Sequence, residues 1–251
     1  MKPSNIESSS QTRKDKSEPP FQVPKDLRVV FFDAAGTLLH LRQPVGAQYA
    51  QIAAEFDLKL DPQALEAAFY SAWKQMPAQN PGTPFPEDGK PWWRELVFAT
   101  LQQINISKPV STATRNAWFE RLYDFYALPE AWKTYPEVPK VLAQFSQYAH
   151  LSLGLISNWD RRLYQVLEGH QLTPYFDHII VSSEVGFSKP HPTIFGKACQ
   201  ILDSRPDQCL HIGDHPEYDW KGAAAAGIHS YPLDRKFNHL TNLHDRLRLQ
   251  Q

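Results

Sequence analysis

The chain has 251 residues, with 26 Lys and Arg against 27 Asp and Glu, for a formal charge of −1 at neutral pH. That balance excludes a generic polyanion binder, which needs a basic excess, so no nucleic-acid partner is expected. No apolar run reaches the ~18 residues of a membrane span, and two Cys cannot build a disulfide framework.

Residues 1–22 carry five Ser, three Pro and mixed charges with little to bury, which predicts a disordered tail. The tail has no apolar segment of the secretory kind, so a cytoplasmic protein with reduced thiols is expected. The run Arg28-Val29-Val30-Phe31-Phe32 suits a strand buried on both faces and ends at Asp33. From Val45 to Tyr126 the period is helical. Tyr49, Ile52, Ala53 and Phe56 share one face, and Leu65, Phe69, Ala72 and Met76 another. A Pro-rich stretch, Pro77 to Pro91, separates these from two further faces, one with Trp93, Val97 and Leu101, the other with Trp118, Leu122 and Phe125. Four amphipathic helices in succession read as a small bundle. Its 14 aromatics are expected mostly in its own core, with a few turned toward the sheet.

Helices and strands then alternate. Val138 to Phe145 is helical, Leu151 to Ile156 a strand, Leu163 to Leu167 helical and His178 to Ser182 a strand. A helix from Ile194 to Leu202, a strand from Cys209 to Ile212, a helix from Glu217 to Ala226 and a strand from Ile228 to Tyr231 follow, and Leu240, Leu243 and Leu247 suggest a last helix. This order implies an α/β fold with a parallel sheet and right-handed crossovers. Residues 23–44 and 127–251 would form that core, and 45–126 would be a second domain spliced into it.

In open parallel sheets, ligands bind beyond the carboxyl ends of the strands. Asp33, Ser157-Asn158 and Asp214 each close a strand here, and Lys189 lies in the loop after another. Singly, each is more often a turn, a cap or a solvated residue. Together, at the ends of successive strands, they can converge on one pocket.

The ordered set FFDAAGTL, LISN, GFSKP and HIGDHPEYD resembles the four motifs of the haloacid dehalogenase superfamily, and the resemblance spans about residues 27 to 232. It implies a Rossmann-like core with a helical cap between the first two motifs, closing over the site. It also implies a Mg²⁺-dependent phosphatase acting on a small phosphorylated metabolite. Asp33 would be the nucleophile that forms an aspartyl-phosphate. Asp33, the Ala35 carbonyl, Asp214 and Asp219 would supply the oxygen ligands that Mg²⁺ prefers. Ser157 and the Asn158 backbone N–H would hold a phosphoryl oxygen, and Lys189 would stabilise its charge. Thr37 would hold the loop or the phosphate, and Gly36 would give the backbone freedom beside the nucleophile.

One position departs from the pattern. Phosphatases of this superfamily carry an acid–base Asp two residues after the nucleophile, where this chain has Ala35. Such a group is typically worth about 10²–10⁴ in rate. Three readings stay open: a slow phosphatase, a hydrolase of another bond type, or a catalytically impaired metal- and anion-binding module. Dehalogenases lack the paired carboxylates seen here as Asp214 and Asp219. A phosphonatase-like enzyme would need a cap lysine for a Schiff base, with Lys74, beside Trp73, as the candidate. His215 is expected at the rim of the site, and Cys199 and Cys209 in the core. The oligomeric state is left open.

Overall fold

The computed structural model describes residues 23–80, 82–106 and 109–248, and the tail expected over 1–22 lies outside them. Strand β1 (Val29–Phe32) is followed by a short strand β2 (Leu39–Leu41). Helices α1 (Val45–Ala54), α2 (Pro62–Gln75), α3 (Lys90–Gln102) and α4 (Thr112–Phe125) come next, then strand β3 (Trp132–Thr134). The remainder alternates: α5 (Val138–Phe145), β4 (Ser152–Ser157), α6 (Arg162–Gly169), β5 (His178–Val181), α7 (Ser182–Val185), α8 (Pro192–Ile201) and β6 (Cys209–Gly213). Helix α9 (Gly222–Ala225), β7 (His229–Pro232) and α10 (Leu240–Arg248) complete it.

Five strands form a parallel sheet in the order β5-β4-β1-β6-β7. The chain runs outward from β1 through β4 and β5, then returns to the other side of β1 for β6 and β7. The carboxyl ends of β1, β4 and β6 therefore meet where the order reverses, the expected ligand crevice of such sheets. β1 is buried on both faces, and its alternation sorts it between two cores. Val30 and Phe32 pack with Leu142, Phe145 and Leu163, while Val29 and Phe31 pack with Ile194, Phe195 and Ala198. On β4, a Cβ at Gly154 would lie 2.6 Å from the Phe31 ring, so the glycine makes room for that side chain.

The α/β class read from the sequence is the one observed, and the expected elements appear with boundaries shifted by one or two residues. Three details differ. β2 and β3 pair antiparallel (Leu39 with Thr134, Leu41 with Trp132), so the chain enters and leaves the helical insertion through a ribbon that no sequence period announced. The single helix expected from Glu217 begins as a π-helical turn over Pro216–Lys221 before α9. The Pro-rich stretch after α2 is not a bare separator but lies on the sheet's loops. There Phe85 N–H donates to the Ser183 carbonyl at 2.7 Å, and Ser188 N–H donates to Asn80 Oδ1 at 2.8 Å.

Candidate active site

The loop after β1 turns back immediately. Leu38 and Leu39 N–H both donate to the Ala34 carbonyl, at 2.8 and 2.9 Å, and Gly36 N–H donates to the Leu39 carbonyl at 2.7 Å. Gly36 has φ +89°, and a Cβ there would stand 2.3 Å from Asp214 Oδ2. Only glycine allows both that conformation and that close approach. Gly213 plays a matching part: its Cβ would lie 2.2 Å from Asp219 Cγ, so the π-helical turn after β6 can fold Asp219 back over the strand end.

These local structures bring the sequence-predicted groups together. Lys189 Nζ donates to Asp33 Oδ1 at 2.7 Å and to Asp219 Oδ1 at 2.5 Å, with all three residues buried. Ser157 Oγ donates to the same Asp33 Oδ1 at 3.3 Å. Carboxylate oxygens of Asp33, Asp214 and Asp219 lie within 4.8 Å of one another. They open with Ser157, Asn158 and Lys189 on a cavity of about 400 Å³, which Ala35 also lines.

Burial pushes the Asp33 carboxyl up to about 6, with Lys189 opposing and Asp219 and Asp214 adding to the rise. Burial, reinforced by Asp219, also pushes Asp214 up to about 6. Asp219 goes the other way: burial would raise it, but Lys189 and His211 hold it below the usual carboxylate range. For Lys189, the two carboxylates outweigh burial and hold the ammonium in its charged form. Burial lowers the His211 pKa, although its Nε2–H donates to the ionised Asp219 Oδ1 at 2.9 Å.

Other expected residues take more specific places. Thr37 is fully buried, and its hydroxyl donates to Asp214 Oδ1 at 3.5 Å, which links the loop after β1 to the end of β6. Asn158 clamps the lysine loop from both sides. Its Nδ2 donates to the Lys189 carbonyl at 2.8 Å, and its Oδ1 accepts from Lys189 N–H at 2.6 Å. His215 lines the cavity as expected at the rim, with Nδ1 accepting from Glu217 and Tyr218 N–H at 3.2 Å each. Cys199 and Cys209 are buried. Lys74, however, is exposed and borders neither large cavity, which removes the burial that a Schiff-base lysine there required.

Three contributors were not picked out in the sequence. His211 is one, although a lone polar side chain in an apolar strand was a signal. Arg235 is another: it donates to the Thr37 carbonyl, pairs with Glu137 and stacks on Tyr135 at 3.8 Å, bracing the loop after β1 from outside. The third is Asp160, buried, which accepts from Trp93 Nε1 at 2.8 Å and from Arg162 Nη2 at 2.6 Å and so ties α3 to the end of β4.

Comparison with known proteins shows the family. Residues 27–227 match the family model of haloacid dehalogenase-like hydrolases. The chain is 34% identical over 216 residues to haloacid dehalogenase-like hydrolase domain-containing protein 3 of Bos taurus, covering 83% of this chain and 84% of that protein. Its fold is similar to that of the HAD hydrolase YfnB of Bacillus subtilis, solved bound to magnesium (TM-score 0.68, 19% identity, 89% of this chain and 100% of that one). It is also similar to the 2-haloacid dehalogenase of Pseudomonas syringae pv. Tomato (TM-score 0.59, 18% identity, 90% and 100%). No described helix is long and apolar enough to cross a membrane. With the family match running from just before β1 to the end of α9, the chain belongs to the haloacid dehalogenase-like hydrolases.

Proposed function

We propose that the chain is a Mg²⁺-dependent phosphatase of small phosphorylated metabolites, working through an aspartyl-phosphate on Asp33 and slowed by Ala35. The observation that carries this is the cluster in which three carboxylates, buried Asp33 and Asp219 and half-buried Asp214, face one buried ammonium, Lys189. When all four are ionised, two negative charges remain uncompensated in a cavity meant, on this reading, for an anion. The donor set is all oxygen, which fits a hard divalent cation such as Mg²⁺ rather than a soft one. Asp33, Asp214, Asp219 and the Ala35 carbonyl would hold it, and when bound it supplies charge neutralisation between nucleophile and phosphoryl group.

The chain's own residues supply the rest. Lys189 and Ser157 both engage Asp33 Oδ1, leaving Oδ2 as the attacking oxygen. The Oδ2–phosphorus bond forms as the bond from phosphorus to the leaving oxygen breaks, and the electron pair departs with that oxygen. Water then attacks phosphorus, the Asp33–phosphorus bond breaks, and inorganic phosphate leaves. Lys189, held charged, and Ser157 stand where the transferring group's negative charge must be met. A dehalogenase reading has less support, since the carboxylate pair Asp214 and Asp219 has no part in halide expulsion.

The test is a panel of phosphate esters with Mg²⁺, run on wild type, Asp33→Asn and Ala35→Asp. Ala35 is open to the cavity, so a carboxylate fits there. Asp33→Asn should abolish turnover, and Ala35→Asp should raise hydrolysis by at least ~10-fold by restoring an acid–base group. Ligand affinity without turnover across the whole panel would instead identify a binding module.

A further inference from the structure

A second cavity, of about 750 Å³, adjoins the carboxylate-lined one. The chemistry above does not use it. Helices α1 to α4 wall one side, and β2, β3 and the turn after β4 wall the other. Ten aromatic side chains line it, eight of them from the insertion, where most of the insertion's rings were expected to fill its own core. Among them, Tyr49 and Phe69 meet edge to face at 5.7 Å, and Trp73 and Trp93 stand 5.9 Å apart. Protein interiors pack to crystal density with few voids larger than a water molecule. A ring-lined space this large falls instead within the range of ligand pockets, ~300–1,000 Å³. Ala35, Trp73, Trp93, Asn158 and Trp159 line both cavities, so the two spaces meet at the residue that replaces the acid–base Asp.

We infer that the aromatic cavity receives the leaving group, and that the substrate is the phosphate monoester of a phenol or similar aryl alcohol. This rests on the phosphatase reading and names its substrate class. The phosphoryl group would sit among Asp33, Ser157 and Lys189, with the ring beyond Ala35. In the first step the Asp33–phosphorus bond forms and the phosphorus–aryl oxygen bond breaks. The aryl oxygen keeps the electron pair and takes its proton from water after departure. Phenols ionise near pKa ~10, as Tyr does, whereas an alkoxide is about as basic as hydroxide, whose parent water stands near ~15.7. An aryl leaving group therefore needs no acid in the transition state. The missing carboxylate and the apolar cavity beside it are two sides of one specificity. Ala35 withholds a proton the substrate does not require, and its methyl keeps the passage to the rings apolar.

The experiment compares acetyl phosphate, glycerol phosphate, phenyl phosphate and β-naphthyl phosphate on the full chain with Mg²⁺, alongside β-naphthol binding measured by calorimetry. Acetyl phosphate is activated and small, so it tests the chemistry without the cavity. Phenol and β-naphthol are of similar acidity, so the difference between their esters reads the cavity. The expected result is a KM for β-naphthyl phosphate about tenfold below that for phenyl phosphate, from one more buried fused ring. Trp73→Ala should erase that difference, and Trp73→Phe should restore part of it. Trp73 is 38% exposed, so its truncation removes less buried packing than loss of a core ring, and a thermal melt of both variants separates a folding defect from a lost binding contact. Equal KM values for the two esters would overturn the inference, as would glycerol phosphate matching β-naphthyl phosphate in kcat/KM. If acetyl phosphate is still turned over in either case, the phosphatase reading survives. Turnover of none of the phosphates, with β-naphthol bound, would sink the phosphatase reading and the ester with it.

Discussion

If the chain works through the proposed aspartyl-phosphate, Ala35 divides its two half-reactions unequally. Expelling an aryl oxygen needs no proton, but attack of water on the aspartyl-phosphate still benefits from a base, and a missing base of this kind typically costs about 10²–10⁴ in rate. Hydrolysis of the intermediate should therefore limit turnover. Rapid mixing of enzyme with an aryl phosphate is expected to release about one equivalent of phenol per active site in a burst, followed by a slow steady phase. In Ala35→Asp the burst should shrink as the second step catches up. A linear time course in the wild type would show that the first step limits, and that the alanine costs more in leaving-group departure than in water attack. The place of Asp33 was legible from one residue type at one position, an Asp ending a buried strand. Its tuning was not, because the lysine and carboxylates that set it arrive from 156 and more positions away.

At the scale of elements, the site depends on how the insertion is fastened to the sheet. The stretch between α2 and α3 hydrogen-bonds to the loop carrying Lys189, and a Cβ at Gly186 would meet the Thr83 carbonyl at 2.3 Å, so the two backbones lie in direct contact. Farther in, Asp160 joins Trp93 of α3 to Arg162 of α6, and the Arg162 guanidinium stacks on Tyr123 of α4 at 3.7 Å. The Asp160 and Arg162 side chains are only 2% and 10% exposed, so removing one partner leaves a charge stranded at low dielectric. Asp160→Ala should destabilise the protein by about 3–5 kcal/mol in a denaturant melt, while Asp160→Asn, which keeps an acceptor for Trp93, should cost less. Equal and small losses in both would mean the guanidinium is held by its aromatic neighbours alone. Helices with a clear apolar face and strands of four or more residues could be read in advance from their periods. The ribbon of β2 and β3 could not, since three residues carry no period, and the docked Pro-rich stretch could not, since its contacts are backbone to loop. The aromatic cavity was hidden for a different reason. Rings recurring every three or four positions mark the buried face of a helix whether they pack on one another or surround a space.

For the molecule as a whole, charge is distributed unevenly in depth. The chain as a whole is nearly balanced at a formal −1, while the site gathers three carboxylates around one lysine. In the metal-free protein, Asp33 and Asp214 ionise near about 6 instead of 3.8, because burial and mutual repulsion disfavour their charged forms. The stability these two groups contribute is then full below their unfolded value and is lost as pH rises through about 6. A divalent cation held by the ionised carboxylates would reverse that loss, and at acid pH it would first have to displace their protons. Mg²⁺ should therefore raise Tm more at pH 7.5 than at pH 5. At a hundredfold excess over Kd the stabilisation is about 2.7 kcal/mol, roughly 5–10 °C for a chain of this size. Gly36→Ala should lose most of the shift at either pH, because the added methyl would stand 2.3 Å from Asp214 Oδ2 and force that carboxylate away from Asp33. A Mg²⁺ shift of equal size at both pH values, or one that survives in Gly36→Ala, would place the ion somewhere other than among these three carboxylates.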